Sequence, residues 1–244
     1  DVESVTLVDL DPAMTELAKT NEHFVRLNQG SLSHSKTILL ENLAIIGTRK
    51  ATLKATGGRG VNPELEETIV DIEIINLDAA AFVAQAPGLY DVILIDFPDP
   101  NSVELSKLYS QHFYGFVRKK LSADGILVQQ STSPIHAKEA FLCIGRTMKS
   151  AGLSVVPYHD NVPSFGEWGW WIGGRNDRQS EAFLTKRLSA IPALTVGTKY
   201  LNSHLINASL HFGINQLETS ETSINTITNP RIHNYYLDAW QESR

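Results

Sequence analysis

The segment Tyr90–Ser102, YDVILIDFPDPNS, decides how this chain is read. Val92 to Ile95 form a continuous apolar run rich in strand formers, the pattern of a strand buried in a parallel sheet. The run ends at Asp96. A second acid, Asp99, follows three residues later, and Pro98 and Pro100 keep that loop out of a helix. The strand therefore delivers one carboxylate to the sheet edge, and the loop can turn a second toward the same place. Asp96, directly after VILI, is expected to be partly buried. Desolvation beside other acids raises a carboxyl pKa, which makes Asp96 a candidate base.

The same pattern recurs on both sides. Ser4–Asp11, SVTLVDLD, is an apolar run ending in acids. Pro12 suits the first turn of the following helix, PAMTELAKTNEHFVRLN, and Asp11 its N-cap. Ser35–Leu53 reads as a further helix. Lys54–Thr68, with three glycines and a proline, reads as an exposed loop. Thr68–Asp78 is a second strand, followed by the short helix AAAFVAQA that Gly88 ends. Ser102–Leu121 reads as an amphipathic helix capped by Ser102. Ile126–Gln130 is a strand, and Ser133–Gly152 a helix closed by glycine. Leu153–Pro163 and Trp168–Gly174 pair as a hairpin-like edge. Strands alternating with helices imply an α/β fold, a doubly wound and mostly parallel sheet. Residues 1–174 make one domain, and 175–244 a C-terminal appendage with one or two helices.

Bulk properties narrow the function. A chain of 244 residues, 42% hydrophobic and 20% charged, has the composition of one ordinary globular domain. It holds no apolar run near the ~20 residues that span a bilayer, and its first residues are neither basic nor apolar enough for a signal peptide. A soluble, cytoplasmic protein is expected. The single cysteine, Cys143, excludes an intrachain disulfide and reads as a buried helical residue. With neither CxxC nor HExxH, no metal site is expected. The net charge of −6 argues against a nucleic-acid partner and suits a cationic ligand.

Ligands of open α/β sheets bind beyond the carboxyl ends of the strands. Those ends carry Asp9 and Asp11, Asn76 and Asp78, Asp96 and Asp99, and Gln129 and Gln130. Asp11 reads as a helix cap. Asp9 is either a ribose-holding acid or a solvated strand end, Asp78 either a cap or a ligand, and Asp99 either a turn acid or part of the site. No GxGxxG or GxxxxGK stretch is present to cradle phosphates. Acidic walls with few bases favour a positively charged, nucleoside-like ligand over a phosphorylated one.

Five blocks, in order, carry a resemblance: VTLVDLDP, NLDA, YDVILIDFPDPNS, KLYSQHFYGFVRKKLSADGILVQQSTSP and VPYHDNVPSFGEWGWWIGG. Together they resemble the polyamine aminopropyltransferases, the spermidine synthase family. The similarity is greatest to the bacterial branch with membrane helices ahead of the catalytic domain. It covers Val2 to Gly174, and the tail SINTITNPRIHNYYLDAW also resembles that branch. It implies a Rossmann-like, S-adenosylmethionine-dependent methyltransferase-type fold. The implied reaction is transfer of an aminopropyl group from decarboxylated S-adenosylmethionine to putrescine or a related amine, releasing methylthioadenosine. That molecule would be a co-substrate; no tightly bound cofactor is implied. Matched residue by residue, Asp9 would bind the ribose hydroxyls, Asp78 the adenine amino group, and Asp96 the proton of the attacking amine. Asp99 and Gln130 would line the acceptor site. The resemblance also implies a homodimer and a membrane region ahead of this chain.

The chain departs from the family pattern in four places. Phe165 stands where soluble relatives have an acceptor-site tyrosine, and Glu167 is near enough in sequence to replace part of its hydrogen bonding. Leu77 stands where relatives often have a polar residue. Residues 31–67 read as an insertion. The glycine-rich motif of the first, central strand is absent from these residues, so the sheet is expected to break between the strands ending at Asp9 and Asp96, with these 244 residues part of a longer protein or another segment filling the gap. Trp168, Trp170 and Trp171 read as packing residues, an acceptor-pocket wall being the alternative. Two other functions stay open: an S-adenosylmethionine-dependent methyltransferase, and a non-catalytic ligand-sensing domain that has lost turnover.

Overall fold

A computed structural model describes residues 2–38, 70–192 and 194–241. Contacts within the chain divide it into two compact units, Asp1–Gly88 and Leu89–Arg244. No helix of the described residues is long and apolar enough to cross a membrane.

The first unit carries three parallel strands, β1 (Ser4–Asp9), β2 (Lys36–Ile38) and β3 (Asp71–Asn76), in the order β1-β3-β2. In-register pairing sets Asp9 opposite Asn76, so both strands end at the same level. Between β1 and β2 lie α1 (Pro12–Thr20) and α2 (Glu22–Leu27), where the sequence pattern predicts one continuous helix. Asn21 divides them. Its extended backbone stops α1, its N–H bonds the Leu17 carbonyl at 3.0 Å, and its side chain caps α2 by accepting from His23 N at 3.0 Å. Helix α3 (Ala79–Gln85) follows β3. The helix expected from Ser35 is instead strand β2 at its start. Thr37 and the β-branched Ile38 pair with β3, a tertiary contact that overrides helical periodicity. The exposed loop and most of the insertion expected over 31–67 lie outside the described residues.

The second unit holds β4 (Tyr90–Ile95), β5 (Leu121–Gln130), β6 (Leu153–Val162) and β7 (Gly166–Arg175), in the order β4-β5-β7-β6. The β4/β5 pair is parallel, and β7 runs antiparallel to β5 and β6. Gly166, at φ 75°, supplies the left-handed residue of the β6–β7 turn. The helix expected over Ser102–Leu121 is two: α4 (Val103–Ser106) and α5 (Gln111–Lys120), joined by a 3₁₀ turn at Lys107–Tyr109. Ser102 caps the first, and Ser110, in extended conformation, breaks the run and caps the second. Helix α6 (Lys138–Ser150) is buried on most sides, including Cys143. Gly145 is required there, because a Cβ would come within 2.4 Å of the Trp171 ring. After β7 come α7 (Glu181–Ser189), α8 (Ser203–Ala208) and α9 (Arg231–Gln241), one helix more than the sequence pattern suggests. Helix α9 packs on α6, and α7 on β6, so residues beyond 174 belong to the second compact unit.

Among the described residues, β1 and β4 each stand at the edge of their own sheet. The expectation that β4 is buried along its length is corrected: Leu94 is 73% exposed, and of its residues only Ile95 is buried.

Candidate active site

On the first unit, Asp9 ends β1 half-buried, and its Oδ1 accepts from Asp11 N at 2.7 Å. Asp11 caps α1, accepting from Ala13 N at 2.8 Å. Asn76 bridges the two strand ends, donating to the Asp9 carbonyl (3.3 Å) and to Thr15 Oγ1 (3.1 Å). Asp78 is exposed and caps α3 through Oδ1, which accepts from Ala81 N at 2.9 Å. A carboxylate has about four lone-pair sites, so a cap that uses one oxygen leaves the other for a ligand. The cap and ligand readings of Asp78 are thus compatible.

On the second unit, the loop after β4 is held from beneath. The fully buried Tyr109 donates to the Pro98 carbonyl at 3.0 Å, and Phe97 sits edge-on to both Tyr109 and Phe113. Burial, with Asp99 and Asp96 adding negative charge, pushes the Tyr109 phenol well above its ordinary pKa and keeps it a donor. From the other side, His233 Nδ1 of α9 donates to the Pro100 carbonyl at 3.0 Å. So anchored, the loop leaves Asp96 exposed and Asp99 half-buried. The partial burial expected at Asp96 therefore falls to Asp99. The reason is that β4 lies at the sheet edge, whereas Asp99 is covered by α9 and the end of β5.

Asp99 Oδ2 accepts from the Tyr236 phenol of α9 at 3.1 Å, and Oδ1 lies 3.5 Å from the end of the Gln130 amide. Only one orientation gives both ends of that amide a good partner: Oε1 accepts from Trp168 Nε1 at 2.6 Å, and Nε2 donates to the Phe97 carbonyl at 3.2 Å. The atom facing Asp99 is then Oε1. Burial raises the Asp99 carboxyl above its usual range, and the hydrogen bond from Tyr236 offsets this only in part. Close by, Thr132 has an uncommon φ of 59° for a β-branched residue. Its hydroxyl is near enough to stabilise the Asp99 carboxylate, yet makes no hydrogen bond of normal geometry.

The remaining predicted residues divide. Phe165 is 64% exposed at the β6–β7 turn and packs against Trp168. Glu167 on β7 pairs with His159 Nδ1 on β6, while His159 Nε2 donates to the His211 carbonyl at 2.7 Å. Trp171 is a packing residue, buried against Phe141, to whose carbonyl it donates. Trp170 stacks on Tyr158, and Trp168 reaches Gln130. Tyr109, Thr132, His233 and Tyr236 were not among the expected site residues. The sequence signals for the last two are the apolar spacing of Ile232, Tyr235 and Tyr236 and the resemblance of the tail that holds them, neither of which assigns them a role.

The raised carboxyl of Asp99 makes a testable prediction. Its folded pKa lies above its unfolded value, so its contribution to stability is present at low pH and is lost as pH rises through the raised value. Asp99→Asn does not titrate. It should melt like the native protein at about pH 3 and higher than it at about pH 7, by a few °C at most. Thermal melts at the two pH values check this.

The model of the spermine/spermidine synthase domain matches residues 1–183. The polyamine aminopropyltransferase of Oceanobacillus iheyensis is 33% identical over 99% of this chain and 39% of its own length. That of Shewanella oneidensis is 31% identical over 99% and 38%. This chain thus spans about two fifths of the length of these relatives. The crystal structure of spermidine synthase from Thermotoga maritima superposes with a TM-score of 0.56 at 17% identity, covering 88% of this chain and 60% of that one. A spermidine synthase in complex with the transition state analogue AdoDATO gives 0.55 at 18%, with the same coverage. The structural likeness shows the Rossmann-like, methyltransferase-type α/β fold, and with the family model spanning three quarters of its residues the chain belongs to the spermine/spermidine synthase family.

Proposed function

We propose that this chain is the catalytic part of an aminopropyltransferase that moves an aminopropyl group from decarboxylated S-adenosylmethionine to putrescine or a related amine. The observation that carries the reading is the half-buried Asp99, lined up with Tyr236 and Gln130 in the anchored loop that follows Asp96. This is a wall of oxygen acceptors suited to an ammonium group. In this reaction the amine lone pair attacks the aminopropyl carbon bound to sulfur. The C–S bond breaks with its electron pair on sulfur, leaving neutral methylthioadenosine, and the amine proton passes to Asp96. An ammonium is no nucleophile, so a carboxylate that takes its proton and holds it in place is what the step needs. The sulfonium is already a good leaving group, and acids stabilise both cationic reactants.

In this reading Asp9 binds the ribose hydroxyls and Asp78 the adenine amino group. Asp99 and Gln130 hold the acceptor amine, and Phe165 and Glu167 flank its site. Residues 1–174 are the catalytic domain and 175–244 its appendage. A methyltransferase is less well supported, because the acids Asp96 and Asp99 would repel the carboxylate of S-adenosylmethionine. The buried, unpaired Cys143 is compatible with the reducing cytoplasm, where we place the chain.

Titration calorimetry of methylthioadenosine with the full-length protein tests the proposal. Asn is as good an N-cap as Asp, so Asp78→Asn should leave stability within about 0.5 kcal/mol while weakening binding about tenfold or more. Absence of binding by the native protein at millimolar ligand would sink the reading.

A further inference from the structure

Resting on that function, we propose that Tyr236 of the C-terminal helix is a specificity-determining residue of the amine site, and that with Gln130 and Thr132 it selects a primary ammonium at the end of the acceptor. The phenol carries one hydrogen, which it gives to Asp99 Oδ2 at 3.1 Å. Its lone pairs are left as acceptors. Gln130 Oε1 lies 3.5 Å from Asp99 Oδ1 and receives Trp168 Nε1 through one lone pair only. Tyr236 Oη, the two carboxylate oxygens and Gln130 Oε1 thus form a row of acceptors.

Two further observations mark Thr132 as part of this polar cluster. Thr132 is 1% exposed, and its hydroxyl lies near the Asp99 carboxylate without a hydrogen bond of normal geometry, although buried polar groups are nearly always paired. Its backbone is held at φ 59°, a strained value for threonine that accumulates at binding sites. Adjacent Ser131 and Thr132 are clamped by paired backbone bonds to Gly169, Ser131 N to its carbonyl at 2.9 Å and its N–H to the Thr132 carbonyl at 2.8 Å, which holds the main chain of Thr132 in place. A primary ammonium brings three N–H donors to this row. Each N-methyl group removes a donor and leaves a desolvated acceptor unpaired, which is how polar sites reject analogues.

Tyr236 also takes over the chemical part that a tyrosine at position 165 would play, since Phe165 has no hydroxyl and Glu167 is engaged by His159. The phenol arrives from α9, and its pKa, pushed up to about 12 by burial and by Asp99, keeps it protonated as the donor to that carboxylate.

The test is steady-state kinetics of the full-length protein, with putrescine and with its terminally N,N-dimethylated analogue. For Tyr236→Phe the putrescine KM should rise about tenfold or more, kcat should stay within about threefold, and discrimination against the methylated amine should shrink. Methylthioadenosine affinity should not change. Thr132→Val, isosteric and also β-branched, should raise the same KM, and it serves if Tyr236→Phe does not fold. Unchanged KM and unchanged discrimination in an active, folded variant overturn the role of Tyr236 and leave the proposed reaction standing. Failure of the native protein to transfer an aminopropyl group to any amine overturns the reaction itself, and the assignment of Tyr236 falls with it.

Discussion

Asp96→Asn should lower kcat by roughly a hundredfold to ten-thousandfold, the range that a positioned proton acceptor contributes. Asn keeps the size of the side chain and its hydrogen bonding but cannot take the amine proton. Asp96 is exposed, and no hydrogen bond ties the fold to its side chain among the described contacts, so stability should stay within about 0.5 kcal/mol. Methylthioadenosine binding should be unaffected as well. Release of methylthioadenosine, followed under saturating amine, measures the loss. An Asp96→Asn protein that retains more than about a tenth of native kcat would remove Asp96 from the chemistry and shift attention to Asp99.

Tyr109→Ala should cost about 3–5 kcal/mol, the usual range for deleting a large buried aromatic side chain, and lower the melting temperature by roughly 10 °C. Tyr109 is fully buried, edge-on to Phe97, and its phenol is the donor that fixes the Pro98 carbonyl. The change leaves a cavity beneath the loop and an unpaired carbonyl within it. Tyr109→Phe separates the two effects. It keeps the packing, loses the hydrogen bond for about 1 kcal/mol, and should still impair turnover because Asp96 and Asp99 lose their fixed spacing. Thermal melts with parallel kinetics measure both. A Phe variant with native turnover would show that packing alone anchors the loop.

Much of this was legible in the chain itself. An apolar run closed by Asp96, two prolines around Asp99, and the repeated strand–helix alternation suffice for the fold class and for the list of acids at the strand ends, because these signals are local. Asp11, Asp78 and Ser102 cap helices where their spacing says they should. Two of the residues that escaped, Tyr236 and His233, have partners far away in the chain. Tyr236 meets Asp99 across 137 positions, and His233 meets Pro100 across 133. No periodicity encodes such a pairing. The helix breaks at Asn21 and Ser110 were also obscured, since a capping side chain inside an apolar pattern looks like one more polar position.

Sequence alone determined which residue types stand at the carboxyl ends of the strands, since strand polarity and the alternation of elements follow from hydrophobic pattern and turn chemistry. Only the tertiary structure decided which of the acids is desolvated. Burial depends on what packs over a side chain, and that cover comes from α9 and the end of β5 rather than from residues near Asp99 in the chain. That is why Asp96, expected to be partly buried, is exposed, and Asp99, read from the sequence as either a turn acid or part of the site, is the carboxyl whose pKa is raised.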